Sequence, residues 1–246
     1  MYTLKATDHN RMHTAIHFIL IILFVLISTQ AQADTTPDRT TKYTIEIDGY
    51  DSGVAELKWT RLKNGQTKLH SEENVELFGY KYTMNANFNW KQGKLAVFSI
   101  AEKDDGESND VSGRVEGDEM SFFNNTTKTK SNTLKTADYD LSYVGLANYL
   151  AQKEFPQGIL KVRVLDTATG EVAPSEITVK EHEKLTYDGV SFNCKKINYT
   201  TTGMEATIWI TEDKFGPFVV KEVTKLDEGI IIQELKSYSL RNKKDQ

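Results

Sequence analysis

Cysteine is almost absent from this chain of 246 residues, in which Cys194 is the only one. An intramolecular disulfide is therefore impossible, and the stability of the fold has to come from its core. Cys194 alternates with Val190 and Phe192 on one apolar face of a predicted strand. That pattern is typical of a small buried side chain and not of a reactive thiol.

Histidine is scarce as well, and three of the five histidines, His9, His13 and His17, lie close to the N-terminus. The remaining two, His70 and His182, lie in no motif of a serine or cysteine hydrolase. The sequence also lacks a P-loop and a dinucleotide-binding fingerprint. It therefore predicts no catalytic residues of these classes and no cofactor.

Metal-ligand spacing is missing too. In Glu181-His182-Glu183 adjacent side chains of a strand would point to opposite faces, so the three cannot converge on one ion. The acidic loop 103–110 (KDDGESND) offers oxygen ligands without the spacing of an EF-hand, and we interpret it as a solvated hairpin tip. No metal site is predicted. A hydrolase using a pair of strand-borne carboxylates stays open, because such a pair leaves no local signature.

No strong positive charge is present, since the formal net charge is −5. A mildly acidic, mixed surface argues against nucleic acid as a partner and against electrostatic docking on anionic lipid. The chain also lacks an internal repeat and a clear linker between domains. We therefore expect residues 34–246 to form a single domain.

The N-terminal segment has the three parts of a secretory signal peptide. Lys5 and Arg11 precede the apolar run 18–27 (FILIILFVLI), and Ala31-Gln32-Ala33 follows it as an A-x-A cleavage site. The strongly apolar run is shorter than the ~20 residues of a membrane span. Residues 1–33 are therefore predicted to be removed, which leaves a protein that is periplasmic or secreted and does not span the membrane.

The remaining sequence is dominated by alternation of apolar and polar residues, the pattern of half-buried strands. Its longest example is 80–90 (YKYTMNANFNW). At about 3.3 Å per residue this strand would span roughly 36 Å, and a strand so long with one apolar face should twist and curl around what it covers. Later in the chain the alternation changes phase at Lys195-Lys196, which predicts a β-bulge nearby.

One segment departs from this rhythm. Within 140–152, Tyr143, Leu146, Ala147 and Leu150 follow the i, i+3, i+4, i+7 spacing of one helix face. The predicted fold class is therefore all-β, with a strongly curved antiparallel sheet as a half-barrel, barrel or sandwich and one short helix near 140–152.

Several short motifs mark a resemblance to a known family. They are Gly-x-Ala-x-Leu at 53–57, Asn89-Trp90 followed by Gly93-Lys94-Leu95, Leu-Asp-x-x-x-Gly at 165–170, and Trp209-Ile210. With the signal peptide, they resemble a family of secreted Gram-negative bacterial proteins described only as a domain of unknown function. Its curved-sheet fold is similar in kind to periplasmic lipoprotein-carrier-like half-barrels. The resemblance implies a fold and a compartment, and it supplies no catalytic residues.

The aromatic strand suggests a function. If its inward face lines a cavity, the protein is a non-enzymatic periplasmic binding or carrier protein for an apolar ligand, such as a lipid or an acylated peptide. If that face is packed core, the protein is a structural or envelope-interaction module. A cavity of several hundred Å³ would favour the carrier. The predicted ligand-lining residues are Tyr80, Tyr82, Met84, Phe88 and Trp90 of the strand, and Tyr143, Leu146 and Leu150 of the helix.

Overall fold

The computed structural model describes residues 38–62, 64–91, 94–151, 158–227 and 229–241. About three quarters of them belong to fifteen strands. The first eight are β1 (Arg39–Ile47), β2 (Tyr50–Arg61), β3 (Thr67–Leu77), β4 (Tyr80–Lys91), β5 (Lys94–Asp104), β6 (Glu107–Glu116), β7 (Glu119–Asn124) and β8 (Thr129–Lys135). After them come β9 (Leu141–Ser142), β10 (Ile159–Leu165), β11 (Val172–Tyr187), β12 (Val190–Thr201), β13 (Met204–Asp213), β14 (Gly216–Leu226) and β15 (Gly229–Leu240). The predicted signal peptide, 1–33, lies outside the described residues.

All fifteen strands form one curved sheet that does not close. Its order is β8-β7-β6-β5-β4-β3-β2-β1-β15-β14-β13-β12-β11-β10-β9. Neighbouring strands are antiparallel hairpin partners except at two places. β1 pairs with β15, which brings the first and last strands together in the middle of the sheet, and the short β9 runs parallel to β10. The predicted all-β fold with a curved antiparallel sheet is confirmed.

The long strand β4 shows how the sequence sets the inner face. Its burial alternates along its whole length, with Tyr80, Tyr82, Met84, Phe88 and Trp90 buried and the residues between them more exposed. The rings continue beyond this strand through Phe98 of β5 to Phe122 of β7. Centroids of successive rings are 5.9 and 5.6 Å apart, within the range of favourable aromatic contacts.

The predicted helix is present but shorter than 140–152. Leu141–Ser142 forms β9, Tyr143–Gly145 forms a single 3-10 turn, and Leu146–Ala151 forms the α-helix, here called α1. We call residues 143–151 the helical segment. It packs chiefly against β14, and a Cβ on Gly145 would lie 3.9 Å from Nε1 of Trp90. The segment therefore covers the inner face of the sheet from the aromatic strand to β14.

Candidate functional site

A partly open, mostly apolar cavity of about 60 Å³ lies between the helical segment and the inner face of the sheet. Five strands, β1, β2, β3, β13 and β14, supply the rest of its wall. The lining residues are Tyr43, Leu57, Trp59, Leu69, Tyr143, Val144, Leu146, Ala147, Ile208, Ile210, Pro217, Phe218, Val219 and Glu222. Because β1 and β14 are separated only by β15, strands from both ends of the chain meet around this space.

Two of the predicted ligand-lining residues, Tyr143 and Leu146, line the cavity. The ring of Tyr143 also makes an edge contact with Tyr199 of β12, at 5.1 Å between centroids. Leu150 is fully buried in the same core cluster and lies at a separate open concavity. The helix spacing in the sequence therefore identified the side of the segment that faces the sheet.

The five predicted residues of β4 lie elsewhere. They are 0–5% exposed and pack within the larger of two core clusters, and none of them is among the residues that line the apolar cavity. Trp90 borders the cavity wall, because it stacks on the cavity residue Trp59 with 5.5 Å between ring centroids. Their assignment as ligand-lining residues stays a prediction.

Glu222 is the one charged side chain among the described residues that line the cavity, is 3% exposed, and was not predicted from the sequence. Its position follows from alternation in β14, where Phe218, Val220, Glu222 and Thr224 are buried. Counting every second residue from Phe218 would have placed this carboxyl on the apolar face. The residues that surround Glu222 on other strands could not be predicted from alternation, because they depend on which distant strands pair.

Hydrogen bonds hold Glu222 in place. The hydroxyl of Tyr143 donates to Glu222 Oε1 at 3.1 Å, and the hydroxyl of Thr224 donates to the same oxygen at 2.9 Å. Burial nevertheless raises the pKa of this carboxyl to about 7, because the loss of water outweighs the two hydrogen bonds. The cavity thus has apolar walls and one polar end, where a carboxyl titrates near neutral pH.

A second buried carboxyl, Glu73 of β3, lies on the inner face of the sheet and is 2% exposed. Burial raises its pKa well above the ordinary value, and the charges of Glu102 and Glu222 raise it further. Its Oε2 has no hydrogen-bond partner among the described residues. Glu73 does not line the apolar cavity, so the two buried carboxyls do not face the same cavity.

Arg39 lies behind one end of the cavity wall. Its guanidinium is stacked between two lining rings, 5.2 Å from the centroid of Trp59 and 4.7 Å from that of Phe218. It also forms an ion pair with Asp213 at 3.2 Å and donates to the carbonyl oxygens of Gly216 and Pro217. These contacts fix the two rings against each other.

Two larger concavities are open and mostly polar. One of about 560 Å³ lies along β3 to β6 and includes Met84 among its lining residues. The other, of about 570 Å³, includes Leu150, His182 and Lys195. Neither has the apolar lining that a carrier of an apolar ligand requires.

The other candidates from the sequence have ordinary surroundings. Cys194 is buried, and burial raises the pKa of its thiol to about 11, which keeps it protonated at neutral pH. Glu183 accepts hydrogen bonds from Trp209 and Lys196. Within the described ranges no three His, Cys, Asp or Glu side chains are grouped as a metal site. The helical segments described are too short to serve as a transmembrane span.

Comparison with known proteins identifies a family and a fold. Residues 43–215 match the family described as a domain of unknown function, DUF6134. The search of curated proteins found no match. Among solved structures, the chain is similar to a β-barrel-like protein of the domain of unknown function DUF1849 from Brucella abortus. The TM-score is 0.61 at 11% identity, over 85% of this chain and all of the other.

Two further structures align less well. LprF from Mycobacterium bovis has a TM-score of 0.28 at 12% identity, over 83% of this chain and 89% of its own. A DUF1329 family protein from Desulfovibrio piger has a TM-score of 0.22 at 9% identity, over 96% and 93%. At these identities the comparisons bear on the fold alone, and the β-barrel-like neighbour agrees with the curved sheet.

Proposed function

This chain belongs to the DUF6134 family, as the resemblance in its motifs predicted, and from that premise we propose that it is a non-enzymatic binding protein of the cell envelope. Its ligand would be a compact apolar molecule held between the helical segment and the sheet. The observation that carries the proposal is the mostly apolar cavity that Tyr143, Leu146 and Leu69 help to line. Concave apolar sites of this kind are where proteins bind apolar ligands.

The size of the cavity limits the size of the ligand. Its volume of about 60 Å³ is far below the several hundred Å³ that a long acyl chain needs. A lipid or acylated peptide would fit only if the helical segment moved away from β14. For the cavity with the helical segment packed against β14, we therefore propose a ligand of a few heavy atoms.

A non-enzymatic role is proposed because Glu222 is the one carboxyl among the described residues that line the apolar cavity. A carboxylate pair in a hydrolase has to face the same substrate, with its two groups about 5–10 Å apart. Glu73 lies outside this cavity and lines the open, mostly polar concavity along β3 to β6 together with Glu102.

A second candidate function is a structural or envelope-interaction module with a filled core. It is favoured by the close packing of the aromatic strand, where Phe88 contacts both Trp90 and Phe98 at centroid distances of 5.4 and 5.9 Å. In that case the small cavity would be an ordinary packing defect.

Location in the periplasm or outside the cell is part of the proposal. It rests on the signal-peptide pattern in residues 1–33. Sequencing the N-terminus of protein recovered from the periplasmic fraction should give Asp34 as the first residue. Retention of residues 1–33 on a membrane-bound product would contradict this part.

Native mass spectrometry of protein purified from its own periplasm tests the binding function. We expect a co-purified small molecule, and we expect Ala147→Leu to abolish its binding because the added methyl groups enter the cavity wall. Ala101→Leu on the exposed side of β5 is the matched control and should retain the ligand. If neither the unaltered protein nor Ala101→Leu carries or takes up an apolar molecule, the structural module with a filled core is the better description.

A further inference from the structure

Among the described hairpins, four have a two-residue turn with positive φ at both positions, and one of these turns differs in sequence. Three of them are Asp48-Gly49, Asp105-Gly106 and Asp188-Gly189. The fourth, between β3 and β4, is Phe78-Gly79. In all four, φ is 43–51° at the first residue and 75–98° at the glycine. This is the geometry of a type I′ turn, which aspartate accepts far better than a bulky side chain does.

Phe78 gains no burial in return for this unfavourable backbone conformation. Its side chain is 64% exposed, more than any other exposed large hydrophobic residue that the structure describes. Its ring makes an edge contact with Tyr50, which is itself 54% exposed, at 5.1 Å between centroids. A strained position that packing does not require points to a function for the side chain.

A third exposed apolar residue, Ile230, lies on the next hairpin. The hairpins β3–β4, β1–β2 and β14–β15 are consecutive in the sheet, and their turns lie at the same end of the strands. The backbone N–H of Asp48 donates to the carbonyl oxygen of Ile230 at 2.9 Å, and Asp48 Oδ1 accepts from the N–H of Ile230 at 2.8 Å. We call Tyr50, Phe78 and Ile230 the apolar tip. Exposed apolar groups gathered in this way mark a surface for interaction.

The charge around the apolar tip limits what can cover it. Segments 46–51, 76–81 and 225–230 contain six acidic residues and two lysines, which gives them a formal net charge of −4. A second copy of this chain would bring the same negative charge against the tip, and a bilayer of anionic lipid would repel it as well. The complementary partner has an apolar interior and positively charged groups at its surface.

We propose that the apolar tip docks the protein on a membrane whose headgroups carry ammonium groups, as those of phosphatidylethanolamine do. The rings of Phe78 and Tyr50 enter the boundary between headgroups and acyl chains, and the surrounding carboxylates accept hydrogen bonds from the ammonium groups. A turn residue protrudes from the end of the strands, and a fluid bilayer accepts it without the preformed pocket that a protein partner would need. None of the three tip residues lines the apolar cavity, so this inference does not depend on the ligand proposed above.

Co-sedimentation with vesicles tests the docking, on protein purified from its own periplasm. Two compositions are compared at low salt, phosphatidylcholine with an equal part of either phosphatidylethanolamine or phosphatidylglycerol. We expect severalfold tighter binding to the phosphatidylethanolamine vesicles. High salt should reduce this difference, because ions screen the repulsion between the acidic segments and phosphatidylglycerol.

Phe78→Asp should weaken binding to the phosphatidylethanolamine vesicles by at least ~10-fold, since it withdraws one aromatic side chain from the apolar layer. It gives this turn the Asp-Gly sequence of the other three, so the urea midpoint should stay the same or rise. Tyr50→Ser, outside the turn, is a second variant and should weaken binding severalfold. The matched control is Val190→Asp, because Val190 is 45% exposed beside the turn Asp188-Gly189 at the opposite end of the strands. This control should bind like the unaltered protein.

Equal binding of the unaltered protein and the two tip variants would overturn the proposal, and so would tighter binding to the phosphatidylglycerol vesicles. If the unaltered protein binds neither composition, the membrane is not the partner. A crosslink from a photoreactive residue at position 78 to one envelope protein would then assign the apolar tip to a protein partner. Each of these results leaves the small-molecule cavity to its own test, so the two proposals fail independently.

Discussion

The hydroxyl of Tyr143 donates a buried hydrogen bond of 3.1 Å to Glu222 Oε1, and this bond ties the helical segment to β14. The two residues are 79 positions apart in the sequence. Both line the apolar cavity, so the bond joins the helical and the sheet sides of its wall. Loss of this bond should therefore affect the stability of the fold and the closure of the cavity together.

Tyr143→Phe should lower the free energy of unfolding by about 1–3 kcal/mol, because it leaves a buried carboxyl with one donor fewer while preserving the ring. The shift of the urea midpoint measures this loss. Tyr50→Phe removes a hydroxyl from a side chain that is 54% exposed and should change stability by less than about 0.5 kcal/mol. Equal shifts in the two variants would mean that the Tyr143 hydroxyl contributes nothing specific.

The buried carboxyls of Glu222 and Glu73 predict that stability decreases as pH rises from 5 to 8. Both have a pKa in the folded state above the ordinary value of 4.5, about 7 for Glu222 and well raised for Glu73. The folded state therefore binds these protons more tightly than the unfolded chain does. The stabilising contribution of the two protonated carboxyls is complete below pH 4.5. It is lost as pH rises through their pKa values in the folded state.

For Glu222 alone, the difference between 4.5 and about 7 corresponds to roughly 3 kcal/mol between the two ends of this range. Denaturation at a series of pH values should show the decrease, and Glu222→Gln should make the curve flatter because the amide does not titrate. Glu76→Gln, in an exposed ion pair with Lys81, should leave the slope unchanged. An identical slope in wild type and Glu222→Gln would contradict the assignment.

Opposite faces of β4 should respond very differently to substitution. Trp90→Ala removes a large buried ring that stacks on Trp59 and should destabilise the fold by about 3–5 kcal/mol. Asn87→Ala removes only a hydrogen bond to His70 on the outer face and should cost less than about 1 kcal/mol. Similar denaturation midpoints for both variants would show that the inner face of this strand is not packed.

The inner face of β4 could be predicted because alternation is a local property of a strand. Every apolar residue predicted to share a face between Tyr80 and Trp90 is buried. The helix was predicted for the same reason, from the spacing of Tyr143, Leu146 and Leu150. Its beginning was predicted too early, since Leu141–Ser142 pairs with β10 as a short strand, and pairing with a distant strand overrides a helical pattern.

The cavity could not be predicted, because its wall depends on which distant strands are neighbours. Tyr43 and Glu222 are far apart in the sequence and meet only because β1 pairs with β15, which in turn pairs with β14.

The position of the predicted bulge also depends on strand pairing, which the sequence pattern does not give. The phase change at Lys195-Lys196 does mark a register irregularity, but the extra residue is in the partner strand β11, between Val179 and His182.

Arg39 should be required for stability, because a buried ion pair is costly to break on one side. Arg39→Met leaves Asp213 without its cation in a site where the arginine is 1% exposed, and we expect a loss of about 3–5 kcal/mol. Asp213→Asn leaves the guanidinium unpaired between two rings and should also destabilise the fold. The double variant has no unpaired charge, so its loss should be smaller than the sum of the two single losses.

A double-mutant cycle from urea denaturation of the four proteins measures this coupling. The same cycle on Lys81 and Glu76, whose side chains are both largely exposed, should give a coupling below about 1 kcal/mol. The contrast follows from solvent, which screens the surface pair and is excluded from the buried one. Additive losses at Arg39 and Asp213 would mean that the arginine stabilises the fold through its contacts with Trp59 and Phe218, independently of the ion pair.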